Sequence, residues 1–326
     1  MILAGDIGGT RTRLALYERR GAALEATWKQ TVLNAGHASF ASALATCLTL
    51  ADASVKAVVL GVAGPVEDGV CRMTNLDWVL DERVLQRALG APLVIIVNDL
   101  TAAATGVTQL PEDSFAILHE GSRRWGDGSM AVVAPGTGLG EAGLLWDGAR
   151  HLVVPSESGH TDFAPATAME CELHAYLAER FGHVSWEHVL SGPGLANLAA
   201  FLGDTGRATT PPALRDAPPA DRPALIAELA LARADPLCAA ALDMFASVLG
   251  RECGNAGLRY VATGGICLAG GIPPAILPVL RQQAFMKAVV AKGRMGELAA
   301  TLPVRVAMDV DAGLLGAAHI GLAAIG

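Results

Sequence analysis

The stretch Gly5-Asp6-Ile7-Gly8-Gly9-Thr10 follows the apolar triplet Ile2-Leu3-Ala4 and precedes a segment in which Leu14 and Leu16 alternate with Arg13 and Ala15. Short apolar runs broken by glycine read as strands joined by a tight turn, so residues 2–17 predict a β-hairpin. The pattern starts again further on. Met130-Ala131-Val132-Val133 leads into Pro135-Gly136-Thr137-Gly138-Leu139-Gly140, and the strand-like Ala142-Gly143-Leu144-Leu145-Trp146 follows. Two such modules, each followed by α/β elements, predict a duplicated fold with a ligand between the halves.

Working outward, the pattern predicts a third strand near 24–32, a helix near 39–51 and a buried strand at 55–62. Leu93-Val94-Ile95-Ile96-Val97 reads as another buried strand, ending at Asn98-Asp99 and running into the helix former Leu100-Thr101-Ala102-Ala103-Ala104. Residues 169–260 read as mainly helical, interrupted by Thr209–Pro223, whose five prolines predict a surface connection. Ile266-Cys267-Leu268-Ala269 reads as a strand running into Gly270-Gly271, Val304-Arg305-Val306 as another, and residues 313–324 as a tail helix expected to pack on the first domain. A chain of 326 residues exceeds the size at which single cores stop growing, so two domains are expected. The boundaries expected are 1–109 plus 302–326 for a small α/β domain and 110–301 for a large one with helical insertions.

Composition narrows the partners. The chain is 52% hydrophobic and 17% charged, as a compact globular protein is, and its net charge of −8 leaves no basic footprint for nucleic acid. A phosphate-bearing ligand must therefore be held by local backbone dipoles or a metal. No apolar run predicts a membrane span, because Asn98, Asp99, Asp243 and Arg259 interrupt the most hydrophobic stretches. Asp6 falls where a signal peptide would need an apolar core. The cysteines at 47, 71, 171, 238, 253 and 267 form no short-spaced pair, and a cytoplasmic location is expected.

Three glycine turns stand at strand ends: Gly8-Gly9-Thr10, Gly136-Thr137-Gly138-Leu139-Gly140 and Gly270-Gly271. Glycine lets backbone N–H groups approach a phosphate, and Thr10, Thr12 and Thr137 add hydroxyl donors. Together they predict ATP held between hairpins; each alone reads equally as a tight turn. A Walker loop is excluded because no Gly-Lys-Ser/Thr triplet follows these glycines. A dinucleotide fingerprint is excluded because Gly136, Gly138 and Gly140 have the wrong last spacing and open onto a strand. Asp6 beside the first turn would repel phosphate unless a cation intervened, so Mg²⁺ reached through water is expected there, with an Asx-type turn as the other reading.

Asn98-Asp99 closes an apolar strand and opens a helix, the position at which open α/β sheets bind ligands. Asp99 reads either as a helix N-cap or as a general base accepting a hydroxyl proton during phosphoryl transfer. Downstream, Glu157-Ser158-Gly159-His160-Thr161-Asp162-Phe163-Ala164-Pro165 concentrates polar groups, and Glu187 lies in Val184-Ser185-Trp186-Glu187-His188-Val189-Leu190-Ser191-Gly192. Carboxylates, an amide and an imidazole suit the paired donors and acceptors of hexose hydroxyls. Taken alone, Glu187 reads as an ordinary surface residue and His160 as a structural histidine; His183 and His188 are expected to be structural.

These segments, with Gly61-Val62-Ala63-Gly64-Pro65-Val66 and Val189-Leu190-Ser191-Gly192-Pro193-Gly194-Leu195, resemble the bacterial glucokinases of the hexokinase superfamily. They extend over nearly the whole chain in the family's order. The resemblance implies a two-domain actin-like ATPase (ribonuclease H-like) fold with an interdomain cleft that closes on sugar. It implies Asp99 as the base in ATP-dependent phosphorylation of the glucose 6-hydroxyl, with Asn98, Glu157, His160 and Glu187 holding the sugar. The three glycine loops would hold ATP, and a homodimer is implied. Arg11 stands where the family more often has Asn, and Ser158 where it more often has Gly. The related ROK proteins carry a Cys-x-Cys zinc motif shortly after Gly-His; here Thr161-Asp162-Phe163 follows Gly159-His160, so no structural zinc is expected. The rival readings are a kinase for another hexose or amino sugar and a sugar-responsive regulator; a DNA-binding repressor would need a helix-turn-helix segment ahead of the first strand.

Overall fold

The structure, a computed structural model, describes residues 1–21, 23–47, 55–73 and 76–326. It divides into two compact units, Met1–Glu112 with Asp309–Gly326, and Asp113–Met308.

The first unit opens with β1 (Ile2–Ile7), β2 (Arg11–Arg20) and β3 (Ala23–Leu33), then α1 (Phe40–Cys47) and β4 (Ala57–Val62). Positions 48–51 of the helix expected near 39–51 lie outside the described residues. A small sheet of β5 (Val66–Glu67), β6 (Val70–Arg72) and β7 (Val79–Asp81) precedes α2 (Glu82–Leu89), β8 (Val94–Asn98) and α3 (Asp99–Val107). The main sheet runs β3-β2-β1-β4-β8, antiparallel across the hairpins and parallel from β1 through β4 to β8. Every residue of β4 is buried, as a central parallel strand requires.

The second unit contains β9 (Phe115–His119), β10 (Met130–Pro135), β11 (Leu139–Trp146) and β12 (His151–Ser156). Helices α4 (Ala168–Phe181), α5 (Gly192–Asp204), α6 (Pro212–Asp216), α7 (Arg222–Leu231) and α8 (Pro236–Arg259) follow. Then come β13 (Gly265–Leu268), α9 (Ile272–Ala275), α10 (Leu277–Leu280), α11 (Gln283–Val290), α12 (Gly296–Thr301) and β14 (Val304–Ala307). Its sheet runs β12-β11-β10-β13-β14-β9. Strand for strand, β12-β11-β10-β13-β14 repeats the order and the directions of β3-β2-β1-β4-β8, so the duplication foreshadowed by the two glycine hairpins is present in the topology. Fully buried Phe201, Phe245 and Phe285 fill the core between the helices.

Two expectations change. The proline-rich segment 209–223 is not a plain connection: it contains α6 and the start of α7, because proline at the first helical turn is pre-set for helix and loses no hydrogen bond there. The chain also returns to the first unit at Asp309 rather than 302, and leaves it after Glu112 rather than 109. The reason is β14, whose four buried residues pair with β13 on one side and β9 on the other.

The tail helix α13 (Ala312–Ile325) packs on the first sheet, with Leu314, Ala317 and Ala318 against Ile2, Ala4 and Val59. It meets α3 backbone to backbone. A Cβ at Gly316 would fall 1.8 Å from the Ala102 carbonyl oxygen, and one at Gly106 would fall 1.8 Å from that of Ala312. Among the described residues no helix is long and apolar enough to cross a membrane.

One charge cluster is buried in the second unit, where β11 faces α8. Glu141 and Glu252 are both fully buried; Arg259 donates to Glu141 Oε2 at 2.7 Å and to Glu252 Oε1 at 2.9 Å. Glu141 Oε1 has no hydrogen-bond partner among the described residues. Burial first, and then the charge of Glu252, push the Glu141 carboxyl up to about 8, against the opposing pull of Arg259.

Candidate active site

In the first unit, Asp6, Gly61 and Val97 lie abreast on β1, β4 and β8, so the chain past each of these strands emerges at one edge of the sheet. Asn98 caps α3: its Oδ1 accepts from the amides of Leu100 at 2.9 Å and Thr101 at 3.3 Å. Asp99 is therefore the first residue of the helix and not its cap, although its Oδ1 also accepts from the Leu100 amide at 2.8 Å. Asn98 Nδ2 donates to the carbonyl of Gly64 at 3.3 Å, and Gly64 has φ +148°, a conformation open to glycine. A Cβ at Gly61 would lie 3.4 Å from Asp99 Cα, so the missing side chain lets α3 start close against β4. The Asp99 charge also reaches buried Cys71, whose thiol is pushed up mainly by burial and secondly by that carboxylate.

The turn at Gly8-Gly9-Thr10 is held by Asn34, which is buried. Asn34 Nδ2 donates to the Gly8 carbonyl at 2.8 Å, its Oδ1 accepts from Thr12 Oγ1 at 2.7 Å, and its amide donates to the Thr10 carbonyl at 2.9 Å. Asp6 forms an ion pair with Arg13, which also donates to the Val310 carbonyl at 2.9 Å and to Asp311 at 3.3 Å. Lys29 pairs with Asp311 at 2.7 Å. The start of α13 faces the same carboxylate, since a Cβ at Gly313 would lie 3.7 Å from Asp6 Oδ2. Two acids thus meet two bases and a helix N-terminus. The cation beside Asp6 in this structure is Arg13, which compensates the carboxylate next to the first glycine turn. Among the described residues no three His, Cys, Asp or Glu side chains are grouped to hold a metal.

In the second unit the structure brings the remaining candidates together. The turn Ser158–His160 places His160 Nε2 4.0 Å from Glu157 Oε2, both side chains about 60% exposed. Ser158 Oγ lies 2.9 Å from Ser156 Oγ, which donates to the Glu141 carbonyl at 2.7 Å, so the serine that departs from the family's usual glycine ties this turn to β11. Glu187 Oε2 accepts from the Leu139 amide at 2.9 Å, and the Glu187 amide donates to the Gly159 carbonyl at 2.9 Å. The turn of Gly136, Thr137 and Gly138 is closed by Gly136 N–H donating to the Gly138 carbonyl at 2.8 Å. Gly270 stands beside it: φ is +81°, and a Cβ there would fall 2.8 Å from the Pro135 carbonyl oxygen. At Gly136 and Gly271, by contrast, a Cβ would meet nothing within 4 Å.

His188 and His183 are engaged within the second unit. His188 stacks on Phe181 with ring centroids 4.3 Å apart and accepts at Nδ1 from the Ser185 amide at 3.1 Å; burial holds its pKa below the ordinary value. His183 Nε2 pairs with Asp162 at 2.8 Å.

The family model described as Glucokinase matches residues 3–324. The chain belongs to the glucokinase family. It is accordingly an enzyme that phosphorylates glucose at the expense of ATP. The glucokinase of Nostoc sp. (strain PCC 7120) is 32% identical over 98% of this chain and 98% of its own. The crystal structure of glucokinase from an Antarctic psychrotroph superposes with a TM-score of 0.83 and 29% identity, covering 99% of this chain and 98% of that one. A ROK family glucokinase from Streptomyces griseus in complex with glucose and AMPPNP shares the fold, with a TM-score of 0.69, 20% identity and coverage of 99% of both chains. Within this glucokinase fold, sequence reasoning passes over Arg13 and Asn34. Arg13 reads as an ordinary polar position in β2, and its partner Asp311 is 298 residues away. Nothing local marks Asn34 as buried.

Proposed function

We propose that Asp99 is the general base of this glucokinase family member. Its carboxylate takes the proton of the glucose 6-hydroxyl as that oxygen bonds to the γ-phosphorus of ATP; the bond from the γ-phosphorus to the β,γ-bridging oxygen breaks, and ADP leaves. The observation that carries this reading is the division of labour at the end of β8: Asn98 caps α3, so an acid at 99 is not needed as the N-cap. Asn98, Glu157, His160 and Glu187 hold the sugar through its other hydroxyls.

Gly8, Gly9 and Thr10, Gly136, Thr137 and Gly138, and Gly270 and Gly271 hold the nucleotide. Support comes from Gly136 and Gly271, where neither a positive φ nor a neighbouring atom demands glycine; close approach of a phosphate to the backbone supplies the reason. The AMPPNP-bound structural neighbour supports ATP as donor. Mg²⁺ is proposed as the companion of the nucleotide, where it would neutralise phosphate charge, reached from Asp6 through water. A cytoplasmic homodimer serving glycolysis completes the proposal; light scattering on the purified protein tests the dimer. The base is tested by Asp99→Asn in a coupled assay with ATP and glucose. Turnover near the wild-type rate would remove Asp99 from the mechanism.

A further inference from the structure

Asn34 follows β3 directly, is 2% exposed and has its polar groups engaged on two sides. Its backbone closes the end of the sheet: the amide donates to the Thr10 carbonyl at 2.9 Å, and the carbonyl accepts from the His37 amide at 3.1 Å. Its side chain reaches the turn between β1 and β2, where Nδ2 donates to the Gly8 carbonyl at 2.8 Å and Oδ1 accepts from Thr12 Oγ1 at 2.7 Å. The orientation of this amide is fixed, because a backbone carbonyl can only accept and Nδ2 is the one donor the side chain has. Thr12 is itself buried, so its hydroxyl braces Asn34 and is not a phosphate donor.

Two carbonyls of one turn are thus held toward residue 34, and the peptide planes decide where the following amides point. Both peptides are trans, and across a trans peptide the C=O and the next N–H point in opposite directions. The bond to Gly8 therefore turns the Gly9 N–H away from Asn34, and the bond to Thr10 does the same to the Arg11 N–H. The Gly8 amide is used inside the turn, donating to the Arg11 carbonyl at 3.0 Å. The amides of Gly9 and Thr10 have no acceptor among the described residues; Gly9 is half-buried, and Thr10 and Arg11 are exposed. Successive amides left free in a turn make a concavity for an anion.

We propose that the Asn34 side chain is a positioning residue for ATP: by holding the Gly8 carbonyl it aims the Gly9 N–H at a phosphate oxygen. The inference rests on the reading that the first glycine turn faces ATP, and adds to it a residue from outside the turn. Without that side chain the Gly8–Gly9 peptide has a glycine on each side and no restraint on its rotation, so the cost of ordering it falls on nucleotide binding. The bond from residue 34 to Thr10 is made by backbone alone and survives a change of side chain. Arg11 N–H therefore keeps its direction when Gly9 N–H loses it.

The test compares the full chain with Asn34→Ala. Calorimetry should show the AMPPNP Kd raised about tenfold or more, the size of a lost hydrogen bond to a charged group, with the glucose Kd within about twofold of the wild type. Amide exchange followed by NMR supplies the readout that a merely structural role would not move. In the wild type, saturating AMPPNP should slow exchange at both Gly9 and Arg11; in the variant it should still slow Arg11 and no longer Gly9. Loss of protection at both amides, or equal weakening of AMPPNP and glucose, would make Asn34 a general brace and overturn the proposal. So would an unchanged AMPPNP Kd, or a wild-type Gly9 amide that AMPPNP leaves unprotected, a measurement that needs no variant. Failure of the wild type to bind AMPPNP or to phosphorylate glucose with ATP overturns the functional reading, and the role of Asn34 with it.

Discussion

The hairpin turns at 8–10 and 136–138 occupy the same place in two sheets of the same strand order, yet opposite chemistry holds them. Cationic and amide donors support the first: Asn34 on Gly8, and Arg13 on Asp6 and the chain at Val310. A carboxylate supports the second, Glu187 on Leu139, with a buried acid, Glu141, two residues further along the strand. The charges around the first turn are partly open to solvent, with Arg13 and Asp6 side chains 34% and 21% exposed, while Glu141 is wholly enclosed. The two halves share a strand order and differ in what braces each turn.

The largest expected effect breaks the comparison at the chemistry, which is assigned to one half only. Asp99→Asn should lower kcat about a thousandfold, within the roughly 10²–10⁴-fold that base catalysis supplies, with glucose affinity by calorimetry little changed. Glu157→Gln, in the other half, should instead raise the glucose KM roughly 10–100-fold with a smaller change in kcat, because a hydrogen bond to a charged group contributes about 1.5–3 kcal/mol. Equal losses of kcat from both variants would erase the proposed division.

Stability sharpens it further. Gly316→Ala forces a methyl group into the backbone of α3 and should cost about 1–3 kcal/mol in urea unfolding; Gly136→Ala should stay within about 0.5 kcal/mol, its defect appearing in the ATP KM. The smallest effect, at acid pH, belongs to Glu141→Gln. Folded Glu141 keeps its proton up to about 8, whereas the unfolded carboxyl releases it near its ordinary value of 4.5. The unfolded state binds fewer protons across that window, so wild-type stability falls as pH rises from about 4.5 to about 8. Near pH 4 the variant should match the wild type, and at pH 8 it should be the more stable of the two. Thermal melts that stay parallel over this range would show Glu141 to be ionised in the fold.

The glycine hairpins, the central strands and the tail helix were legible because each rests on a local pattern: alternation, a glycine, a run of apolar residues. The strands β5, β6 and β7 have only two or three residues each, too few for a period to show. The return point at Asp309 was misplaced because β14 is four residues of a six-stranded sheet, a membership fixed by partners far away in sequence. The sites divide in the same way. Asn98 and Asp99 stand out at the end of an apolar run, and Glu157, His160 and Glu187 in short polar runs beside a glycine or a tryptophan. Arg13 answering Asp6 was not legible, because the alternation that shows a strand does not say which charge lies across it.

The close crossing of α3 and α13 has a consequence for biosynthesis. The helix that begins with Asp99 leaves the ribosome early and can rest on β4 at once, but its other side is covered only when the distant segment 312–325 has been made. A nascent or prematurely terminated chain would therefore carry Asp99 on a helix packed on one face alone.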